Sequence, residues 1–333
     1  MKTLAALLLA VVATAQGTTP PAGDPRLVPL PAPRDVKLAD ERLRDSCVWV
    51  DAATHTYYLV SAGRRGPNGR RTVVQYRSQD LVTWNGPRVI FEIPENFWTQ
   101  RGIWAPELHQ YLGKFYLFLT FDSDLNFPEQ WRNWLPRVKR GSQVLVADNV
   151  EGPFQPFAAT RSTLPPDMMT LDGTLFVEDG LPYMVFCHEW VQITDGTVEY
   201  VQLTDDLSAT VGEPKRLFQG SEAPWAKKTS YGSYVTDGVW LYRTKTGRLL
   251  MLWSSVGAGG YTTGVAISES GKLAGPWKQQ AEPVFASDGG HAMMFKRFDG
   301  QLMMILHSPN KTPDERAVIM EMEDLGDTVR VKR

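Results

Sequence analysis

The chain has 333 residues and a formal net charge of -2, with 11 Trp and 2 Cys. This is enough for one large domain or two small ones. A balance so close to neutral excludes a charge-driven nucleic-acid or anionic-membrane binder as the default reading.

The chain opens with "MKTLAALLLAVVATAQG". Lys2 precedes an apolar run over 4–12, and Ala13-Thr14-Ala15 supplies the small residues of a cleavage site. This is the pattern of a secretory leader over 1–15, with a mature start near Gln16 and export to the periplasm or outside the cell. The apolar run is too short to span a bilayer, and no later segment is long and apolar enough. Residues 16–38, rich in Pro, are expected as an extended tether. Residues 39–333 then remain for one domain.

Within that domain one phrase returns five times: a strand, a tight polar turn, and a strand rich in Tyr, Leu and Met. The copies are "CVWVDAATHTYYLVS", "WAPELHQYLGKFYLFLT", "GTLFVEDGLPYMVF", "GVWLYRTKTGRLLMLWSS" and "AMMFKRFDGQLMMILHS". Their turns fall near Ala53, Gly113, Gly180, Gly247 and Gly300. Each hairpin is followed by a second strand pair, so each unit holds about four strands. Four-stranded sheets repeated radially are propeller blades, and the expectation is an all-β, five-bladed β-propeller that fills the domain. Cys47 and Cys187 sit in apolar strands of different blades and are expected as buried free thiols. Neither has the spacing of a metal site. Trp49, Trp240 and Trp253 are expected to pack between blades.

In a propeller the first strand of each blade lines the channel, and its start faces one mouth of the disc. The residues at those starts are Asp45, then Trp104 and Glu107, then Asp172, Asp237 and His291. An Asp before a strand is ordinarily a turn residue. Carboxylates at matching places in blades one, three and four point instead to a shared pocket. Converging carboxylates push one another's protonation apart, which suits glycosidic bond hydrolysis by an acid and a base. At the ends of second strands, "CHEW" brings His188, Glu189 and Trp190, and His307 closes the fifth hairpin. Arg316 is a candidate partner of a site carboxylate. "WRNWLPRVKRGS" is locally basic and is read as an insertion shaping the cleft.

"RDSCVWVDAATHTYYL", "SQDLVTWNGP", "IWAPELHQYLGKFYLF", "LDGTLFVEDGLPYMVF" and "DGGHAMMF" resemble successive motifs of glycoside hydrolase family 43, over about residues 40 to 333. The resemblance implies Asp45 as general base, Asp172 as the residue that orients the acid and tunes its pKa, and Asp237 as general acid of an inverting enzyme. The spacings of 127 and 65 residues fit the family's order. One departure stands out. The family's acid is a Glu in "Glu-Gly-Pro", whereas here the stretch is "Asp-Gly-Val", shorter by one carbon–carbon bond, about 1.5 Å. Glu189 and then Glu222 are the alternative acids. Trp104 and Trp190 are candidate sugar platforms, and Glu107, His188, Glu189 and His307 candidate substrate contacts.

The implied function is hydrolysis of terminal or internal pentosyl linkages in plant-type glycans. α-L-Arabinofuranosyl stands first, with β-xylosyl, galactosyl and a non-catalytic carbohydrate-binding propeller as alternatives. The partner is an oligo- or polysaccharide acted on by a monomer, with no nucleic acid and no membrane. No cofactor is required, and the resemblance allows a Ca²⁺ in the central channel, held through water at His291.

Overall fold

The computed structural model describes residues 30–127 and 137–332. Five antiparallel sheets follow one another along the chain. Their first strands are Cys47–Asp51, Gly102–Tyr111, Thr170–Glu178, Asp237–Arg243 and Gly290–Lys296. In blades two to five the strand order within the sheet is the order in sequence. The chain is therefore an all-β, five-bladed propeller. Each first and second strand form a hairpin whose turn contains the expected residue. Gly113, Gly180, Gly247 and Gly300 all adopt left-handed φ of 79 to 87°, which a side chain would resist.

Blade one carries a fifth strand. Arg34–Val36 pairs with Trp84–Glu92 on the sheet's outer edge. The end of the expected tether over 16–38 thus belongs to the fold, because Val36 buries its side chain there. The leader over 1–15, most of the tether, and residues 131–136 of the expected basic insertion lie outside the described residues. The rest of that insertion leads into an ordinary blade strand, Val138–Ala147.

The strands are apolar on both faces because each blade is sandwiched between two others. Leu59, Leu117, Val185, Leu252 and Ile305, one from each second strand, have no exposed surface. Burying each such side chain contributes roughly 1.5–3 kcal/mol. Trp49 meets Phe115 edge-on between blades one and two, and Trp253 packs on Trp225 and Phe218 between blades four and three. Trp240 lies at the channel, stacked on His109 of blade two. Cys47 and Cys187 are buried free thiols, as the sequence suggests.

The ring is closed without a covalent link. One apolar cluster joins blade one to blade five, and Tyr57 stacks on Phe298 while its hydroxyl accepts the Phe298 N–H. At the other end of the blade-five hairpin, the fully buried Glu315 accepts two hydrogen bonds from Arg42, at 3.0 and 3.1 Å, and lies 3.5 Å from Arg44. Burial would raise this carboxyl, but Arg42 and Thr312 hold it at about 2. Its ionised form therefore stabilises the fold above the unfolded carboxyl's range of about 4, and that contribution is lost as pH falls toward 2. Glu315→Gln is expected to lower stability by about 3 kcal/mol, the low end for breaking a buried pair because both arginines touch solvent. Urea unfolding at neutral pH measures it.

Candidate active site

The channel mouth is built by one device repeated. In blades two to five the register of the first hairpin slips at its start, between Trp104 and Glu107, Leu171 and Thr174, Asp237 and Trp240, and Gly290 and Met293. The residue after each slip point has a left-handed φ: Ala105, Asp172, Gly238 and His291, with Asp45 the counterpart in blade one. Such bulges re-aim side chains out of the sheet. They also correct the alignment of the carboxylates. Asp45, Asp172 and His291 share the left-handed position, but in blade four that position is Gly238. Asp237 stands one residue earlier, where blade three has Leu171, so its side chain leaves the strand in another direction.

Gly238 is required there twice over. Its φ is 57°, and a Cβ would lie 2.7 Å from the His291 Cα. Its N–H donates to Asp172 Oδ2 at 2.9 Å. Gly238→Ala should cost about 1–2 kcal/mol for the left-handed backbone alone. It should also cost about a hundredfold in kcat/KM, because displacing His291 and Asp172 disturbs the positions of Asp45 and Asp237 beside them. Thermal unfolding and steady-state kinetics on the same sample separate the two.

The axial groups are closely interlocked. His291 Nδ1 lies 3.6 Å from both Asp45 Oδ1 and Asp172 Oδ2. His307 Nδ1 lies 2.9 Å from Asp45 Oδ1, close enough for an ion pair but off the line of a hydrogen bond. Arg44 Nε is 3.3 Å from Asp45 Oδ2. Burial opposes charge on Asp45, yet Arg44, His291 and His307 outweigh it and hold the carboxyl far below the usual range. Asp172 lies as near to His291 as Asp45 does, but it has neither Arg44 nor His307 beside it. Burial, then the Asp45 charge, push it well up, against the Gly238 N–H. Asp237 is raised to about 7, by burial first, then by Asp172 and Glu189. The Tyr261 hydroxyl donates to its Oδ2 at 3.1 Å, and the Tyr261 ring stacks on His307.

A cavity of about 670 Å³ opens over these groups, lined by Asp45, Asp172, Glu189, Asp237, Trp104 and Trp190 among others. Trp104 is 37% exposed, and the Arg140 guanidinium lies 3.9 Å from its ring centroid. Trp190, the first residue of a one-turn helix (Trp190–Ile193), stacks on Tyr231. Glu189 is buried and bound to Arg140, which also bonds Asp122 Oδ1 at 3.1 Å. Burial raises its carboxyl despite Arg140.

Other expected site residues lie elsewhere. Glu107 is buried against His109 at 2.9 Å and does not line the cavity. His188 is engaged by Glu199 and Gln192 within its own blade. His307 is fully buried beneath Asp45, out of reach of a sugar. Arg316 donates to the carbonyls of Ala39, Pro313 and Glu315, not to a site carboxylate. Glu222 is an exposed capping residue that accepts the Gln219 N–H. The residues that sequence reasoning missed are Arg44, Arg140 and Tyr261. Arg44 adjoins Asp45 in "LRDSC", which is a usable signal. Arg140 and Tyr261 sit in third strands, where only blade packing aims them at the mouth.

For a channel Ca²⁺ the donor set is poor. Among the described residues no three His, Cys, Asp or Glu side chains are grouped to hold an ion. His291 Nε2 is buried without a hydrogen-bond partner, but it is a single nitrogen. Ca²⁺ takes 6–8 oxygen ligands. These residues do not fit a Ca²⁺ cage.

Among solved structures the chain is similar to an endo-arabinase from Bacteroides thetaiotaomicron, with 39% identity, a TM-score of 0.76, and 86% of this chain and 96% of that one covered. An α-L-arabinofuranosidase from Lactobacillus brevis shares the fold, at 19% identity and a TM-score of 0.67 over 90% of this chain and all of that one. So does a xylan β-1,4-xylosidase from Bacillus halodurans, at 18% and 0.64, where 91% of this chain covers 55% of that one. No curated protein sequence matches. The sequence model of Glycosyl hydrolases family 43 matches residues 40–330. With its five blades and its carboxylates gathered at one mouth, the chain belongs to glycoside hydrolase family 43 and is a glycoside hydrolase.

Proposed function

We propose that this enzyme cleaves α-L-arabinofuranosyl linkages in plant-type glycans by single displacement with inversion. The observation that carries the mechanism is the opposed setting of two carboxyls in one cavity. Asp45 is held ionised by Arg44, His291 and His307, as a base must be. Asp237 is held protonated up to about pH 7, as an acid must be. Asp45 takes a proton from water as the water oxygen attacks the anomeric carbon. Asp237 gives its proton to the leaving glycosidic oxygen, and the electrons of the broken bond stay with that oxygen. Asp172 keeps Asp237 protonated by its proximity and is itself fixed by the Gly238 N–H. Trp104, braced by Arg140, is the platform for a sugar ring.

Asp237 is preferred to Glu189 as acid because Arg140 already occupies the Glu189 carboxylate. The pentose is favoured by the 39% identity to a protein described as an endo-arabinase. Aryl α-L-arabinofuranoside, aryl β-D-xyloside, aryl galactoside and linear arabinan, assayed in parallel, test the reading. Turnover of the first and last is expected, with the inverted anomer formed first by NMR. Preference for xyloside or galactoside overturns the substrate assignment. The chemistry needs no cofactor, so prolonged chelation should leave kcat unchanged. Export is part of the same proposal, resting on the leader pattern over 1–15.

A further inference from the structure

The overall charge of -2 conceals a strongly basic ridge at the cavity's edge. The second and third strands of blade one, Thr56–Arg65 and Arg71–Ser78, meet in the turn "RRGPNGRR", residues 64–71. Arg65 pairs with Arg71 in register. Ala62, Gly63 and Arg71 line the catalytic cavity, so the hairpin tip continues outward from its rim. Arg101, also on the lining, lies alongside, because Arg71 Nε donates to the Arg101 carbonyl at 3.3 Å.

The outer part of the ridge, Arg64, Arg65 and Arg70, is poorly neutralised, although Arg65 also donates to the Gly69 carbonyl. Arg101 pairs with Asp122 and Asp124. Glu92, the nearest acid to the turn, spends its oxygens on Asn68 and on the backbone N–H of Arg70. Among the described residues no carboxylate forms an ion pair with Arg64, Arg65 or Arg70, and Arg70 Nε is buried without a hydrogen-bond partner. Neutral sugar hydroxyls do not call for several guanidiniums in a row. Planar carboxylates do, since each matches the guanidinium fork.

We propose that the blade-one hairpin is a subsite for an acidic glycan, a chain bearing uronate carboxylates that runs from the cavity over Arg71, Arg101, Arg70, Arg65 and Arg64. This names the polymer that carries the pentose, and it rests on the proposed pentosidase reading only for where cleavage occurs. A glycan is the occupant because the ridge is continuous with a glycosidase cavity.

The test uses the full chain and an oligogalacturonate of about ten residues, which offers no pentosyl bond. Controls are the same oligomer with its carboxyls reduced to alcohols, and a DNA duplex of similar charge. Calorimetry at low salt should show the oligogalacturonate bound, the reduced form not, and binding lost as salt screens it. Replacing Arg64, Arg65 and Arg70 together by Ser should weaken binding about tenfold, as expected for three rim ion pairs. Aryl arabinofuranoside turnover by that variant should equal wild type. Equal binding of the reduced oligomer, unchanged binding by the triple variant, or equally tight binding of the duplex overturns the proposal. None of these results touches the pentosidase assignment, which the neutral aryl substrates decide separately.

Discussion

Asp45→Asn will lower kcat about a thousandfold or more on every substrate, activated or not. Removing a positioned general base costs up to about 10⁴-fold, and in the proposed mechanism Asp45 is that base. Asp172 and Asp237 are both pushed toward the protonated form, and Glu189 is bound to Arg140. The variant should still fold, because Arg44 retains Glu315 and Asn310 as partners. Some stability is lost. A carboxyl whose folded pKa lies below its unfolded value stabilises the native state above about pH 4, and Asn forfeits that contribution. Circular dichroism should therefore show native strands with a somewhat lower Tm at pH 7. Turnover within tenfold of wild type would remove Asp45 from the role of base.

The second expected result concerns pH and leaving groups. Since Asp45 is ionised throughout the working range and Asp237 titrates near 7, kcat/KM should be level on the acid side and fall tenfold per pH unit above about 7. After burial, Asp172 is the largest cause of the raised Asp237 value, so Asp172→Asn should move this basic limb to lower pH. Asp237→Asn should abolish the limb. It should slow hydrolysis of arabinan about 10²–10⁴-fold while leaving a dinitrophenyl arabinofuranoside nearly unaffected, because a good leaving group needs no proton. The sign for stability is opposite to that of Asp45. A raised folded pKa means the native state loses stability as pH rises from about 4 to about 7, so Asp237→Asn should melt no lower than wild type at pH 7. If Glu189→Gln produces the leaving-group profile and Asp237→Asn does not, Glu189 is the acid, and the Asp-Gly-Val departure marks its relocation to blade three.

Much of this was legible without coordinates, and the reason is local. A hairpin repeat of apolar strands and Gly turns announces itself within about 20 residues, since strand alternation and turn chemistry act between near neighbours. Five copies at similar spacing then imply blades, and an Asp before an apolar strand marks a mouth. Asp45, Asp172, Asp237, Trp104, Glu189 and Trp190 were found in this way, and all line the cavity. The same criterion, a place at a strand's start or end, also selected residues that do not line the cavity. Glu107, His188, His307 and Arg316 occupy mouth-like sequence positions, yet each is satisfied by protein partners.

What the sequence by itself determined is the propeller and the roll of carboxylates, because periodicity and turns are short-range properties. The tertiary structure alone decided the surroundings of each carboxylate. The bulge that sets Asp237 one residue apart from Asp172, the two histidines and Arg44 that keep Asp45 charged, and the Arg140 that claims Glu189 all depend on contacts between blades. Protonation follows from burial and from charges a few ångströms away, and those distances exist only once the ring has closed.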